Sequence, residues 1–537
     1  MDLSSLSLQS NFSPLDWGIV TAYLLGTVAI GFYANRYVSN MTDYVVAGRA
    51  LRSCLAIATM IGSELGLVTV MYSAQKGFTG GFAAFHIGLV AGVVALIVGM
   101  TGFIVVPLRE MGVMTIPEFY ERRFGRGVRV LGGAILALAG ILNMGLFLKA
   151  GSIFVTALTG LTSDTELKLV MSVLLGLVLL YTILGGMISV VITDYVQFVV
   201  LAFGLVAACV LAVKTLGWAP IVSSVQELRG AAGFDPFHDE GFGLTYVVWM
   251  VFTAGLVSCA VWQTAVMRAC AAKDTTVVKR LYIWSSIGFL IRFLIPNFLG
   301  VCAFVYIARD PALRAVFLPE GGAASSEVTL AAMPVFLSQI LPIGLIGLIG
   351  AGMLAAFMST HDSYLLCWSS VLTQDVIAPC LRRPLSSRAR IRLTRIFIAV
   401  IGVFLLIWSL WYPLTDDLWD YMAVTGAVYF TGAFALLLFG LYWKRASRAG
   451  AYLALVAGFG AVLGLAPVQE LLGMHRLETA WGLDLSGQVV GLSAAGLAVL
   501  LMVIGSLLFP DAGGGAGMTA HSALSDSSDD ASGGQNA

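Results

Sequence analysis

The sequence predicts an all-helical protein that crosses a membrane about thirteen times, and three observations carry that prediction. Hydrophobic residues make up 59% of the 537 residues and charged ones only 11%, about half the charged share of an ordinary soluble domain. Apolar runs long enough to cross a bilayer as helices recur along the chain. The basic residues also fall on alternate loops, as the bias toward cytoplasmic loops requires.

The spans are placed at 15–35, 53–75, 82–106, 130–160, 167–186, 190–216, 243–266, 281–308, 341–378, 391–412, 418–443, 450–469 and 488–509. The first has no basic stretch before it and no small-residue cleavage site after it, so it reads as a retained helix. With the N-terminus (1–14) outside, inside loops hold Arg36, Arg49 and Arg52, then Arg109 to Arg129, Arg268 to Arg280, Arg382 to Arg395, and Lys444 to Arg448. That places 21 Lys and Arg inside against seven outside, with Lys149 and Arg292 within spans. The expected setting is a cell membrane of the bacterial inner type, with the C-terminus in the cytoplasm. Residues 510–537 are Gly, Ser, Ala and Asp with few large apolar groups, a composition expected to stay disordered.

Several classes are excluded. A formal net charge of zero gives nucleic-acid binding no support. Seven cysteines without C-x-x-C spacing read as small apolar fillers. Five histidines without H-E-x-x-H argue against a metal-dependent enzyme. A short acidic tail argues against a solute sensor coupled to a kinase module. Nothing sets the oligomeric state, and a monomer is the working expectation.

Two spans are poor continuous helices. Span 2 carries Gly62-Ser63-Glu64-Leu65-Gly66, and span 7 carries Thr253 to Ser258 around Gly255. Irregular backbone at mid-membrane persists only where protein or a water-filled cavity covers it. Span 2 opens one set of five spans (53–216) and span 7 the next (243–443). Interruptions at matching positions of two halves point to a transporter binding site at the repeat interface. Glu64, Lys149 and Arg292 are ionisable within spans. Each costs at least about 2.5–3.5 kcal/mol at the bilayer centre unless paired or hydrated.

Four motifs add a family. Tyr181 to Ser189 followed by Thr193-Asp194-Tyr195-Val196-Gln197 resembles the downstream half of the solute:sodium symporter signature and its T-D-x-x-Q. The signature's upstream small residue is absent, because Asp164 stands there. Met358-Ser359-Thr360-His361-Asp362-Ser363 is similar to M-S-T-x-D-S, and Gln263 to Arg268 followed by Ala271-Ala272-Lys273-Asp274 is similar to Q-x-x-x-x-R and A-A-K-D. Arg49 precedes Glu64 by fifteen residues, the spacing of a coupling arginine in proline-carrying members. The resemblance covers about residues 15 to 450. It implies a LeuT-type fold of two inverted five-helix repeats and sodium-coupled symport of a small solute.

The resemblance also assigns residues. It implies a sodium site of the Gly62, Leu65 and Ala356 carbonyls with the Ser359 and Thr360 hydroxyls, a neutral oxygen set that suits a hard cation which must leave again. Positions 356, 359, 360 and 363 share one helical face. Asp194, Asp362 and Ser363 are expected at a second cation site or on an ion exit path. Glu64, Thr69, Trp262, Gln263 and Arg292 are the expected substrate residues. Trp262, Thr69 and Arg292 replace the Asn, Gln and Lys of the sugar members, so a sugar is not expected. Arg292 instead suggests a carboxylate or amino acid held by its two-pronged guanidinium, with a permanent Arg292–Glu64 bridge as the competing reading. Proton coupling through Glu64 is the alternative to sodium.

Overall fold

The computed structural model describes residues 10–34, 53–161, 163–320, 322–474, 476, 480, 482 and 484–511. Within helices it leaves out the side chains of 27, 28, 30–34, 54, 55, 58, 63, 181, 184–196, 198, 254 and 258. Arg49 and the tail beyond Asp511 lie outside the described residues, and so does the side chain of Asp194.

Helices account for nearly all of the described chain. The long ones are α1 (Pro14–Ala34), α2 (Ser53–Glu64), α3 (Leu67–Gly80), α4 (Phe85–Thr101), α5 (Ile116–Phe124), α6 (Arg126–Asn143), α7 (Phe147–Thr159) and α8 (Asp164–Leu216). There follow α9 (Gly243–Met250), α10 (Gln263–Ala271), α11 (Thr275–Arg309), α12 (Ser326–Ile340), α13 (Leu345–Val371), α14 (Ser387–Trp411), α15 (Leu418–Tyr442), α16 (Arg448–Phe459), α17 (Ala466–Leu472) and α18 (Gly487–Leu508). Among the described residues nine helices are long and apolar enough to cross a membrane, or ten if a bent pair counts as one span. The protein is a multi-pass membrane protein.

Outward stripes mark the lipid face. Val199, Phe203, Val206 and Val210 on α8, and Leu89, Val93 and Met100 on α4, are exposed at helical spacing. Where helices meet inside, small residues let backbones close up, the usual device where lipid supplies no hydrophobic drive. A Cβ at Gly77 would stand 2.0 Å from the Asn297 carbonyl oxygen, and one at Gly300 would stand 1.9 Å from that of Ala74. Side chains there would force α3 away from α11.

Three span expectations need correction. Spans 5 and 6 are one helical element, α8, with no break at 187–189. A straight helix of its 53 residues would be about 80 Å long at about 1.5 Å per residue, far more than a core about 30 Å thick, and its N-terminal and C-terminal arms meet different helices. Leu179 of the first arm packs at Gly402 of α14, and Val200 and Leu201 of the second pack at Gly352 of α13. Span 12 is short: after Gly464 the chain turns by 87° into α17. The stretch between spans 8 and 9, expected to be a loop, contains α12, which is buried at Ser326 and from Val328 to Ser338 against α3, α7 and α11.

The two interruptions are present. α2 ends at Glu64 and α3 begins at Leu67, with Gly66 extended at φ −85°, ψ 165°. Span 7 is more disturbed than expected: π-helix runs over Val251–Val261, and Trp262 is extended at φ −72°, ψ 123° before α10. π-Helical turns of this kind concentrate at functional sites.

Candidate functional site

The span 2 break exposes backbone that must be satisfied locally. Thr69 Oγ1 donates to the Glu64 carbonyl at 2.8 Å. The Gln197 amide nitrogen, on the second arm of α8, donates to the Gly62 and Leu65 carbonyls at 3.1 and 3.5 Å. A Cβ at Gly66 would stand 1.9 Å from Thr360 Oγ1. Only glycine lets α13 approach this closely, and Thr360 Oγ1 itself donates to the Ala356 carbonyl at 2.9 Å. The fold therefore presses the 356–360 face of α13 onto the break that frees the Gly62 and Leu65 carbonyls. Ser359 is buried on that face. These are neutral oxygens without a carboxylate, the donor chemistry a reversibly bound monovalent cation needs.

Beside the break lies a cavity of about 70 Å³, lined by Glu64, Thr69, Tyr72, Asn143, Phe147, Thr253, Trp262, Arg292, Thr360, Tyr364, Trp419 and Phe430 among others. That is small against the roughly 300–1,000 Å³ of pockets for drug-sized ligands. It is closed on one side by aromatic packing. Tyr72 and Trp419 ring centroids are 4.7 Å apart, and Phe293 lies 5.6 Å from Trp419. The Trp262 indole donates to Tyr364 Oη at 3.1 Å. Asn143 Nδ2 donates to the Met422 carbonyl at 2.6 Å.

Arg292 meets Glu64. Its Nη1 lies 2.6 Å from Glu64 Oε2 and 3.3 Å from the Glu64 carbonyl, with Arg292 buried and Glu64 mostly so, at 11% exposure. The guanidinium also stacks over Phe289 and Phe293 at 4.5 and 4.8 Å. The free anion clamp expected of Arg292 is thus replaced by a buried ion pair, because the carboxylate that desolvation demands is already supplied by the chain.

Four of the five expected substrate residues line the cavity: Glu64, Thr69, Trp262 and Arg292. Gln263 does not. Its Oε1 accepts from the Ile116 backbone N–H at 2.9 Å, so it anchors α5 away from the cavity. The extended residue at 262 turns consecutive side chains to different neighbours. Asp362 and Ser363 lie on the same helix as Thr360, tied to Arg268: Arg268 Nη2 donates to Ser363 Oγ at 2.9 Å, and Ser363 Oγ donates to Asp362 Oδ1 at 3.3 Å. Lys149 is not at the cavity and pairs with Glu327 of α12 at 3.0 Å.

Sequence reasoning missed Tyr72, Asn143, Tyr364 and Trp419. Tyr72 was within reach, since it lies one turn beyond Thr69 on α3. Asn143 had a signal too, as a lone amide in an apolar span. Trp419 had none, because only the packing of α15 across α3 brings it there.

The fold and the cavity at two broken helices define a multi-pass membrane transporter, not an enzyme. Residues 44–458 match the family described as Sodium:solute symporter family, and the chain belongs to that family. It is 27% identical over 496 residues to a sodium/myo-inositol cotransporter of Canis lupus familiaris, covering 84% of this chain and 66% of the relative, just under two thirds of its length. It is 25% identical over 485 residues to a sodium/glucose cotransporter of Vibrio parahaemolyticus, covering 86% of each chain. A solved structure of a Na+-coupled sialic acid symporter, in a substrate-bound outward-open state, superposes with a TM-score of 0.75 at 22% identity over 93% of this chain and 98% of that one. That likeness establishes the LeuT-like fold expected from the motifs.

Proposed function

We propose that this protein carries a small neutral polyhydroxylated solute across the membrane together with sodium, taken up in the N-out, C-in orientation. The observation that carries the sodium part is the packing of Thr360 onto Gly66, which brings the hydroxyl face of α13 to the carbonyls freed at Gly62 and Leu65. Sodium would take the Gly62, Leu65 and Ala356 carbonyls with the Ser359 and Thr360 hydroxyls. Asp194, Asp362 and Ser363 would serve ion passage, and Arg49 coupling. The family and its sodium cotransporters support this over proton coupling.

The solute reading departs from the carboxylate or amino acid expected above. The pairing of Arg292 with Glu64 leaves the cavity with no net charge to hold an anion, and the curated relatives are named for a polyol and a sugar. The lining suits such a solute. Aromatic faces of Tyr72, Phe147, Trp262 and Trp419 offer apolar contact for C–H surfaces. Asn143 and Arg292 line the cavity, and Asn143 Oδ1 and Arg292 Nε are buried without a hydrogen-bond partner among the described residues, so a turn of either side chain would offer a hydroxyl group one acceptor or one donor. The replacements at Thr69 and Trp262 change which hydrogen bonds a polyol makes, not the charge it must have.

The test is uptake into proteoliposomes of myo-inositol, glucose and an anionic sugar acid, with sodium or choline outside at fixed pH. Sodium-dependent uptake of a neutral polyol is expected. Uptake of the acid alone, or equal uptake in choline, would overturn the reading. Replacing Ser359 and Thr360 together by Ala should raise half-saturating sodium by about tenfold, roughly two lost cation contacts at 0.5–1 kcal/mol each, while protein in the membrane is retained.

A further inference from the structure

The Gly62 and Leu65 carbonyls both accept from one side chain, the Gln197 amide. Gln197 is 1% exposed, and its Oε1 has no hydrogen-bond partner among the described residues. Two carbonyl acceptors fix which end of the amide faces the break: only the NH2 end donates. A glutamine that leaves its own oxygen buried and unmatched bears the desolvation cost of that oxygen. The arrangement persists because the alternative is two bare carbonyls at mid-membrane, which is worse.

From this geometry we infer that Gln197 is the stand-in for the coupling cation: its amide N–H group caps the Gly62 and Leu65 carbonyls when sodium is absent, and sodium must displace it to bind. This inference rests on the sodium site proposed above and adds a residue acting against that site. A donor N–H and a cation seek the same lone pairs, so the two cannot share both carbonyls at full strength. Binding then exchanges amide for ion, and the freed amide turns its unmatched Oε1 toward the cation or toward a neighbouring donor. The exchange serves the transport cycle in both directions. It lets the empty carrier return without two unsatisfied carbonyls in a dry core. It also weakens sodium by the value of the displaced bonds, so that the ion leaves on the side where it is scarce. Because Gln197 sits on α8 and the carbonyls on the α2–α3 break, the exchange also unties α8 from that break, which links ion occupancy to helix movement.

The sign of the effect separates this role from a bracing one. A brace that shapes the site should, when lost, weaken sodium. A competing cap should, when lost, strengthen it. The experiment is a sodium titration of the purified full-length protein in choline-balanced buffer, read by intrinsic tryptophan fluorescence, for wild type, Gln197→Leu and Gln197→Met. Both replacements remove the donor; methionine keeps the length of the side chain and leucine is one atom shorter. Half-saturating sodium is expected to fall by about three- to tenfold, the range for one net hydrogen bond of about 0.5–1.5 kcal/mol. An unchanged or raised value in the folded variants overturns the inference. Methionine provides the reading if leucine does not fold. Should wild type itself give no saturable sodium response, the sodium reading falls and this inference with it; a wild-type response with unmoved variants sinks only the role of Gln197.

Discussion

The cavity is closed on two sides by different physical means. On one side, Lys76 of α3 bridges Asp417 and Asp420 at the start of α15 at 2.8 and 2.7 Å, and Tyr246 of α9 donates to Asp420 at 2.9 Å. Below this cluster sits the Tyr72, Phe293 and Trp419 stack. On the other side, Arg129 of α6 pairs with Asp375 just beyond α13 and with Glu121 of α5, Thr115 donates to Asp375 at 3.0 Å, and Arg268 is tied through Ser363 to Asp362. The carboxylates of the Lys76 cluster keep 21% exposure and line a cavity of about 450 Å³ with Glu240 and Asp484. Asp375 and Asp362 have none. Water can therefore replace the bonds of the Lys76 cluster as they break, whereas the Asp375 side must lose its bonds before it can hydrate. Desolvated charges stranded by such a break are the costly ones. The Lys76 side is thus built to part at lower cost, with the aromatic stack as its seal, and the Asp375 side holds the helices together.

Arg129→Met should give the largest effect, because it strands Asp375 in a dry setting, and should cost about 3–5 kcal/mol. A fall in thermal midpoint in detergent, with uptake lost, is the expected result; a midpoint within a degree of wild type would mean that Asp375 is neutral or wetter than its burial implies. Lys76→Met should cost less, about 1–2 kcal/mol, since its partners are partly hydrated. Its clearer signature is opening: a cysteine placed at Thr79 on this background should react faster with a membrane-impermeant thiol reagent. Equal reaction rates would remove the Lys76 cluster from the closure. Lys149→Met should be the mildest. Glu327 is 47% exposed, and such pairs contribute about 0–1 kcal/mol. A loss as large as that of Arg129→Met would show that α12 is held far more tightly than its exposed carboxylate suggests.

Much of this site was legible before any fold was known. The interruption at Gly62 to Gly66 and the hydroxyl pair at Ser359 and Thr360 were visible as polarity and glycine where a membrane helix needs neither. The structure brings those two segments together at Gly66 and Thr360. Gln263 was misplaced because its neighbour Trp262 adopts extended backbone, which helical spacing cannot anticipate. The fusion of spans 5 and 6 was hidden for a related reason: the spans were set apart at 186 and 190, beside Gly185 and Gly186, yet a glycine within a helix costs only about 1 kcal/mol and need not end it.

What the sequence determined by itself is that charges must be answered. Lys149 and Arg292 sit within apolar runs, and the cost of desolvation alone asks for a partner or water at each, whereas Lys76 read as an outside loop residue and only its burial in the fold shows the same need. What only the tertiary structure decided is which anion. Arg292 takes Glu64, Lys149 takes Glu327 and Lys76 takes Asp417 and Asp420, across separations of 178 to 344 residues. Hydrophobicity and charge are properties of a residue and can be read in place. Pairing belongs to two distant helices at once, and it exists only after packing has chosen which faces meet.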